Sequence, residues 1–388
     1  SLHGAKTLLG TATPSIESYH NAKIGKYGLV ELHERYEEMQ LPEILVVDMK
    51  EAYRKKQYEG HFSDVLIEKI NLALQQQEQV ILFQNRRGYA PFVECKACAY
   101  VPKCKNCDVS LTLHAAANTL NCHYCGYVER LPQDCPSCKA PDLRTRGFGT
   151  EKIEEEIKQF FPDARVMRMD LDTTRSKKGY ARIISAMERR QVDILIGTQM
   201  VTKGLDFEKV SLVGILNADN LLSFPDFRSY ERAFQLMAQV SGRAGRKHKK
   251  GLVVIQTYSP DNSVIQQVVH HDYQAMFDLQ IQERASFQYP PFYRMIQITL
   301  KHRDFKVIDQ AANELAATLR TAFGSRVLGP AAPLIARVQN QYIRQILFKF
   351  ETAASVKAAR TTMLDILSKL NAQPEFKSVR ISCDVDPY

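Results

Sequence analysis

The sequence lacks internal repeats, low-complexity tracts and any apolar run long enough to cross a bilayer. Its longer apolar runs, such as Val80–Phe83 and Ile194–Ile196, are far shorter than the roughly 20 residues of a membrane-spanning helix. No signal peptide opens the chain. These absences exclude a disordered, collagen-like or membrane-spanning chain, and we expect a cytosolic protein.

The composition is that of a globular protein. The 388 residues are 45% hydrophobic, which is enough for two or three domains that each bury a core. The formal net charge is +9, a mild basic excess that favours polyanionic partners. Many proteins that bind no nucleic acid are equally basic, so charge alone does not decide the function.

Eight of the nine cysteines are crowded between Cys95 and Cys138. They form four C-x-x-C pairs: Cys95/Cys98, Cys104/Cys107, Cys122/Cys125 and Cys135/Cys138. In a cytosolic chain such clustering indicates metal ligands rather than disulfides, because two intervening residues let a tight turn aim both sulfurs at one tetrahedral ion. Eight thiolates therefore fit two Zn²⁺ ions. An iron–sulfur cluster is the main alternative, and the turn-rich sequence around the pairs favours zinc.

The order of the pairs leaves two connectivities open. We prefer a nested arrangement, in which the outer and the inner pairs each hold one ion, because it lets the chain leave and re-enter a domain at adjacent points. The outer site is then Cys95, Cys98, Cys135 and Cys138, and the inner site Cys104, Cys107, Cys122 and Cys125. A sequential arrangement is the alternative. The ninth cysteine, Cys383, is expected to be a small buried hydrophobic residue on the last strand.

Strand and helix patterns alternate on both sides of the cysteine block, which predicts an α/β domain with a parallel sheet and helices on both faces. Helices are expected over 62–76, with a Ser63 cap, and over 263–283. After residue 289 the order strand–helix–strand–strand–helix–strand predicts a small separate α+β domain, with its second strand over 335–339.

The segment Gln239–Arg246 reads QVSGRAGR and follows the pattern Q-x-x-G-R-x-G-R. Arginine is suited to phosphoryl transfer because its planar guanidinium meets several phosphate oxygens at once. The structural alternative is a helix that ends at Gly242 with basic residues at its carboxyl end.

Three further segments follow strands or open the chain. GTQMVTKGLDF places Thr198, Lys203, Gly204 and Asp206 after a buried strand, where parallel sheets bind ligands. NRRGYAP places Arg86 and Arg87 after another strand, in a loop suited to phosphate contact. GTATPS lies at residues 10–15.

These four motifs occur in the order found in superfamily 2 helicases, and four zinc knuckles directly after NRRGYAP are peculiar to the PriA family of replication-restart helicases. The chain resembles that family over essentially its whole length, including RVQNQYIRQILFKF and the terminal DVDP. The resemblance implies an ATP-dependent 3′→5′ DNA helicase that recognises stalled or collapsed forks, unwinds the lagging-strand arm and initiates primosome assembly.

The resemblance also implies a domain division and residue roles. Residues 1–40 are the tail of a first helicase lobe, 41–92 and 141–288 a second RecA-like lobe, 93–140 a double zinc-ribbon insertion, and 289–388 an α+β DNA-binding domain. Gln239, Arg243 and Arg246 match the motif that acts on the ATP phosphates, with Arg246 as the arginine finger. Gly204 and Asp206 match nucleotide-binding positions, and Arg86, Arg87, Thr198 and Lys203 DNA-binding positions. The implied partners are forked and single-stranded DNA, single-stranded DNA-binding protein and primosome proteins.

One departure from the family concerns ATP hydrolysis. The sequence contains neither a G-x-x-x-x-G-K-[ST] loop nor a D-E-x-H box, the parts that hold phosphates and Mg²⁺ in such motors. We therefore expect this chain alone to hydrolyse ATP negligibly. Two other functions stay open at this point: a zinc-ribbon scaffold without a motor, which would leave the motor motifs as coincidence, and an RNA-directed helicase of the same superfamily.

Overall fold

The computed structural model describes residues 6–32, 40–84, 92–114, 117–146, 149–170, 173–174, 177–202, 207–246 and 249–387. Among these residues the α-helices are α1 (Ile16–Lys23), α2 (Met49–Lys55), α3 (Asp64–Gln75), α4 (Thr150–Phe160), α5 (Lys177–Glu188), α6 (Asp219–Leu222), α7 (Ser229–Ser241), α8 (Ser263–Val269), α9 (Tyr273–Ser286), α10 (Phe305–Phe323) and α11 (Val356–Ala372). Within this described part, no helix is both long and apolar enough to span a membrane.

The strands are mostly short, and several contain only two residues. In chain order they are β1 (Glu43–Asp48), β2 (Tyr58–Glu59), β3 (Phe62–Ser63), β4 (Gln79–Phe83), β5 (Phe92–Cys95), β6 (Thr112–His114), β7 (Thr119–Asn121), β8 (Val128–Arg130), β9 (Leu143–Arg146), β10 (Val166–Met169), β11 (Ile194–Gly197), β12 (Val210–Ile215), β13 (Gly245–Arg246), β14 (Lys249–Lys250), β15 (Leu252–Thr257), β16 (Tyr293–His302), β17 (Val327–Ala331), β18 (Arg337–Val338), β19 (Gln341–Glu351) and β20 (Arg380–Val385).

The chain divides into two compact units. The first comprises Ser1–Tyr89 and Phe148–Gln282, and the second comprises Ala90–Gly147 and Glu283–Tyr388. The cysteine-rich segment thus shares a unit with the C-terminal residues. The four-part division expected from the sequence stays a prediction.

A six-stranded parallel sheet forms the centre of the first unit. Its strand order is β1-β15-β12-β4-β11-β10, and every recorded pairing is parallel. The inner strands β4 and β11 are buried along their whole length, as strands covered on both faces must be. The prediction of a parallel α/β sheet is confirmed.

Alternate residues of the central strands enter two separate cores, one on each face of the sheet. Val80 and Leu82 of β4 pack with α3 and α4, whereas Ile81 and Phe83 pack with α5, α7 and α8. Because strand side chains alternate between faces, each core receives half of every strand. The helices therefore cover both faces, as predicted.

Local side chains set where the helices begin and end. Ser63 caps α3 as predicted, its hydroxyl accepting a 3.2 Å hydrogen bond from the Leu66 N–H. The single helix predicted over 263–283 is wrong, because the chain forms α8 and then α9. His271 has a φ of 54°, and this left-handed conformation ends α8. Asp272 caps the start of α9, because its side chain accepts a 2.8 Å hydrogen bond from the Ala275 N–H.

A four-stranded antiparallel path forms the sheet of the second unit, in the order β17-β19-β16-β20, with β18 paired to β19. Helices α10 and α11 supply the apolar residues that pack with this sheet into one core. The prediction of a strand over 335–339 is confirmed by β18, a strand of two residues within that range, and the predicted α+β order is correct except that it misses β17, which lies between α10 and β18. Cys383 lies on the last strand as expected, but it is exposed rather than buried.

Candidate metal centres and motor segments

The eight clustered cysteines of the second unit assemble into two groups of four. The outer group is Cys95, Cys98, Cys135 and Cys138, and the inner group is Cys104, Cys107, Cys122 and Cys125. Within each group all four sulfurs lie within 4.8 Å of one another. This is the nested arrangement that the sequence favoured.

The spacing of the sulfurs fits a tetrahedral ion. The Sγ atoms of Cys95 and Cys138 are 3.6 Å apart, and those of Cys104 and Cys125 are 3.5 Å apart. Four sulfurs at about 2.3 Å from a zinc ion are separated by roughly 3.8 Å, close to these values, whereas a disulfide requires about 2.05 Å. The residues present therefore fit two Zn²⁺ ions of the closed, four-thiolate structural kind.

The backbone of three knuckles shares one geometry that aims the sulfurs. The residue four positions after the first cysteine has a positive φ: 58° at Ala99, 76° at Gly126 and 63° at Lys139. The N–H of each donates a hydrogen bond of 2.8 to 2.9 Å to the carbonyl oxygen of that first cysteine. This turn reverses the chain directly after the second sulfur, so both sulfurs of a pair face one point.

The two groups differ in how far they are covered. In the inner group Cys104, Cys107 and Cys122 are buried, whereas in the outer group Cys98 and Cys138 are exposed. The inner sulfurs pack into a small apolar core to which Leu111 and Leu120 contribute. Solvent and competing chelators thus reach the outer site more readily.

Within the first unit, the GTATPS segment contacts α7, the helix in whose last turn QVSGRAGR begins. The Gln239 side chain donates a 3.4 Å hydrogen bond to the Thr13 hydroxyl, and the Gln235 side chain donates to the carbonyl oxygens of Thr13 and Pro14. One turn earlier, the buried carboxylate of Glu231 accepts a 3.1 Å hydrogen bond from the Ile16 N–H. Two motifs about 225 residues apart in sequence therefore meet along one face of α7.

Arg243 connects QVSGRAGR to the segment after β11. Its guanidinium donates a 2.7 Å hydrogen bond to the carbonyl oxygen of Thr202, the last residue of the 3₁₀ helix Gln199–Thr202. Burial lowers the pKa of Arg243 below its ordinary value, because the charged form loses hydration. An arginine remains charged under this perturbation and keeps its donors.

Thr198 directly follows β11, as the sequence predicted for a residue at the carboxyl end of a parallel strand. It is nearly buried, and its carbonyl oxygen accepts a 3.0 Å hydrogen bond from the Val201 N–H. The preceding Gly197 allows this tight turn, since a Cβ there would lie 2.1 Å from Cγ1 of Val201. This junction brings the 3₁₀ helix within reach of Arg243.

Several of the predicted site residues lie outside the described residues. They are Arg86, Arg87, Lys203, Gly204 and Asp206. The backbone of Arg246 forms part of β13, paired with β14, while its side chain lies outside the description. The roles assigned to these residues stay predictions.

Residues that sequence analysis missed lie on the same face of α7. Arg228, Glu231 and Gln235 precede the predicted Gln239 at helical spacing, and Arg228 forms an ion pair with Glu17, with Nη2 to Oε1 at 3.0 Å. The signal was present as a polar stripe on an otherwise buried helix. Its partner segment was not predictable from spacing.

Three family models match the chain. Residues 285–388 match the Primosomal protein N C-terminal domain, residues 104–130 the PriA DNA helicase Cys-rich region domain, and residues 147–248 the Helicase conserved C-terminal domain. The Cys-rich match spans all four inner cysteines.

Curated relatives match over the whole chain. The Replication restart protein PriA of Bacillus subtilis is 42% identical over 388 residues, covering 100% of this chain and 48% of the relative. The proteins of the same name from Synechocystis and Rickettsia conorii are each 38% identical, over 98% and 99% of this chain and 46% and 58% of the relatives. The chain thus spans about half the length of the curated relatives it matches.

Solved structures show a weaker likeness. That of S. cerevisiae Dbp5 bound to RNA and ADP BeF3 is 13% identical, covers 67% of this chain and 45% of the other, and has a TM-score of 0.33. A likeness this low carries no argument about function.

Proposed function

Because the chain belongs to the PriA family of replication restart proteins, we propose that it acts within an ATP-dependent 3′→5′ DNA helicase that recognises stalled or collapsed replication forks. That protein unwinds the lagging-strand arm and initiates primosome assembly in the bacterial cytoplasm. In this proposal the groups that bind the ATP phosphates and Mg²⁺ lie outside the 388 residues, because the sequence contains no G-x-x-x-x-G-K-[ST] loop.

The observation that supports the motor reading best is the contact between GTATPS and α7. A helicase must transmit the state of the nucleotide from the QVSGRAGR motif to the rest of the motor. The hydrogen bonds from Gln239 to Thr13 and from Arg243 to Thr202 connect that motif to both flanking motor segments. A scaffold without a motor has no need for these three motifs to be joined.

In the proposed mechanism the QVSGRAGR residues act on ATP from the second lobe. Arg246 is the arginine finger that meets the charge developing on the transferred phosphoryl group, with Arg243 and Gln239 acting beside it. Arg243 also keeps the motif against the 3₁₀ helix through Thr202. Gly204 and Asp206 lie near the nucleotide.

DNA is proposed to contact three parts of the chain. Arg86, Arg87 and Lys203 meet phosphates, and Thr198 contacts the strand backbone. The two zinc sites support a surface that engages single-stranded DNA and primosome proteins, including single-stranded DNA-binding protein. The C-terminal α+β region binds DNA as well.

The deciding experiment measures fork-DNA-stimulated ATP hydrolysis by the full-length protein, wild type against Arg246→Ala. Loss of an arginine finger lowers kcat by about 10³-fold or more, and DNA affinity should persist. Arg189→Ala is the matched control, because this exposed arginine precedes β11 and so lies at the end of the sheet opposite the motif segments. Absence of DNA-stimulated turnover in the wild type would favour the zinc-ribbon scaffold instead.

An RNA comparison in the same assay tests the remaining alternative. Stimulation by forked DNA should exceed stimulation by an RNA of the same structure. The 388-residue chain alone should show turnover at the buffer background. Turnover above background from this chain alone would contradict the proposed location of the phosphate-binding groups.

A further inference from the structure

The hairpin between β18 and β19 in the second unit has an unusual turn. Its two central residues, Gln339 and Asn340, have φ angles of 52° and 58°. Two consecutive positive φ values characterise a type I′ turn, for which Asn-Gly or Gly-Gly is preferred. Glutamine is costly in this conformation, so some contact made by the turn must hold it there.

The tip of this hairpin reaches the inner cysteine group. The backbone N–H of Gln339 donates a 3.3 Å hydrogen bond to Sγ of Cys107. The Gln339 side chain donates a 3.3 Å hydrogen bond to the carbonyl oxygen of Tyr124, which lies between Cys122 and Cys125. Gln339, the residue with the positive φ, therefore contacts both knuckles of the inner metal site.

Neighbouring hairpin residues also contact the knuckle that carries Cys104 and Cys107. The Asn340 N–H donates a 2.8 Å hydrogen bond to the Asn106 carbonyl oxygen, and Arg337 both accepts from the Asp108 N–H at 2.9 Å and donates to its carboxylate at 3.1 Å. Asn106 in turn donates its own N–H to Sγ of Cys104 at 3.4 Å. Val338 packs into the apolar core around the inner cysteines.

Such contacts matter for a four-thiolate site because the complex carries excess negative charge. N–H donors to coordinating sulfur disperse that charge, and outer donors of this kind alter metal affinity by about tenfold to hundredfold. Among the described residues, the N–H of Cys138 donates to Sγ of Cys135 in the outer group, which is a contact within its own knuckle. The inner group has a similar contact from Asn106 and, in addition, receives the Gln339 N–H from more than 230 residues away in sequence.

We propose that the Arg337–Tyr342 hairpin is an outer clamp of the inner zinc site, with Gln339 as its positioning residue. The clamp slows release of the inner ion and couples that ion to the C-terminal sheet through β19. The inner and outer zinc ions accordingly differ in lability, and the difference depends on a residue of the C-terminal region. The inference concerns metal retention and is independent of the helicase activity.

Zinc release into an excess of chelator tests the clamp, with a chromogenic zinc indicator used on the 388-residue chain. The wild type should release one ion quickly and one slowly. Gln339→Gly removes the side-chain donor but relaxes the turn, so a simple turn residue would leave release unchanged or slower. The variant keeps the backbone N–H that meets Cys107 but loses the link from the hairpin to the Tyr124 carbonyl oxygen, so the clamp predicts that the slow phase accelerates by about tenfold while the fast phase is unaltered.

Gln77→Gly is the matched control, because Gln77 is an exposed glutamine with a φ of 55° in the first unit. It should leave both phases at the wild-type rates. A slow phase in Gln339→Gly within about twofold of the wild type would overturn the proposal, since outer donors change affinity by more than that.

A measurement on the wild type keeps the test decisive if the variant does not fold. In protein loaded with an NMR-active cadmium isotope, the Gln339 amide proton should show scalar coupling to the inner ion through Sγ of Cys107. Chelation should then speed amide exchange in residues 337–342 as the clamp loses its acceptor. Absence of both the coupling and the exchange change would overturn the proposal.

Discussion

At the scale of single residues, the sequence predicts a residue's role when that role depends on residues close to it in the chain. The eight cysteines were identified because C-x-x-C spacing specifies a metal half-site locally. The strand that carries Cys383 was predicted correctly, but its burial was not, because the burial of a single residue depends on the surface it faces. Gln339 was missed for the same reason: its partner, Cys107, is more than 230 residues away.

Tyr19 provides a prediction at this scale. Burial, followed by the hydrogen bond to Glu31, raises the pKa of Tyr19 from 10.0 to about 12. The neutral phenol is thus favoured in the folded state. Its contribution to the free energy of unfolding is fully present below pH 10 and is lost as the pH rises from 10 to 12. The shift corresponds to stability on the order of 2 to 3 kcal/mol.

The measurement is the free energy of unfolding between pH 9 and pH 12, compared with Tyr19→Phe. The substitution should remove much of the decrease in the free energy of unfolding between pH 10 and pH 12, because phenylalanine does not ionise. Equal pH profiles for the two proteins would contradict this assignment. Tyr27→Phe is the control, since Tyr27 is exposed.

At the scale of elements, helices and strands were predictable where a periodic apolar pattern was continuous. The parallel strands β4, β11 and β15 lie within two residues of the ranges 79–84, 192–197 and 252–257 that their apolar runs predict. The break between α8 and α9 was missed, because polar residues continue through it and only the left-handed conformation of His271 interrupts the helix. The β18–β19 turn lacks glycine, the residue by which such a hairpin is usually recognised in a sequence, so this turn was missed.

The junction after β11 gives a prediction for an element. Gly197→Ala places a Cβ 2.1 Å from Cγ1 of Val201 and 3.2 Å from the Met169 carbonyl oxygen. Overpacking of this kind costs about 1 to 3 kcal/mol, so urea should unfold the variant at a lower concentration. The 3₁₀ helix that Arg243 holds would shift with it.

A second substitution separates this clash from any other effect of the alanine. Val201→Ala removes the methyl group that the new Cβ meets, so the double variant should recover part of the stability lost by Gly197→Ala. Additive losses in the double variant would show that the two side chains do not conflict. Gly10→Ala is the control, because nothing lies within 4 Å of a Cβ at that position.

At the scale of the whole molecule, the sequence predicted the architecture better than the grouping of its parts. The nested pairing of the cysteines was predicted because it lets the chain leave and re-enter a domain at adjacent points, and the sulfurs are grouped in that way. What the sequence did not indicate is that the cysteine-rich segment belongs to the same compact unit as the C-terminal region. That grouping depends on contacts such as Arg337 with Asp108, which no local pattern encodes.

This grouping leads to a prediction about what zinc does in the full-length protein. QVSGRAGR and the contacts that join it to GTATPS and Thr202 lie in the first unit, whereas all eight cysteines lie in the second. Loss of the outer ion in Cys98→Ser should therefore impair fork unwinding and helicase loading far more than DNA-stimulated ATP hydrolysis.

The outer site is the better test because Cys98 is exposed and lies outside the small apolar core around the inner site, so its loss leaves that core intact. Cys383→Ser is the matched control, an exposed cysteine outside both groups that should leave both activities unaltered. Equal losses of unwinding and hydrolysis in Cys98→Ser would mean that zinc supports the motor itself.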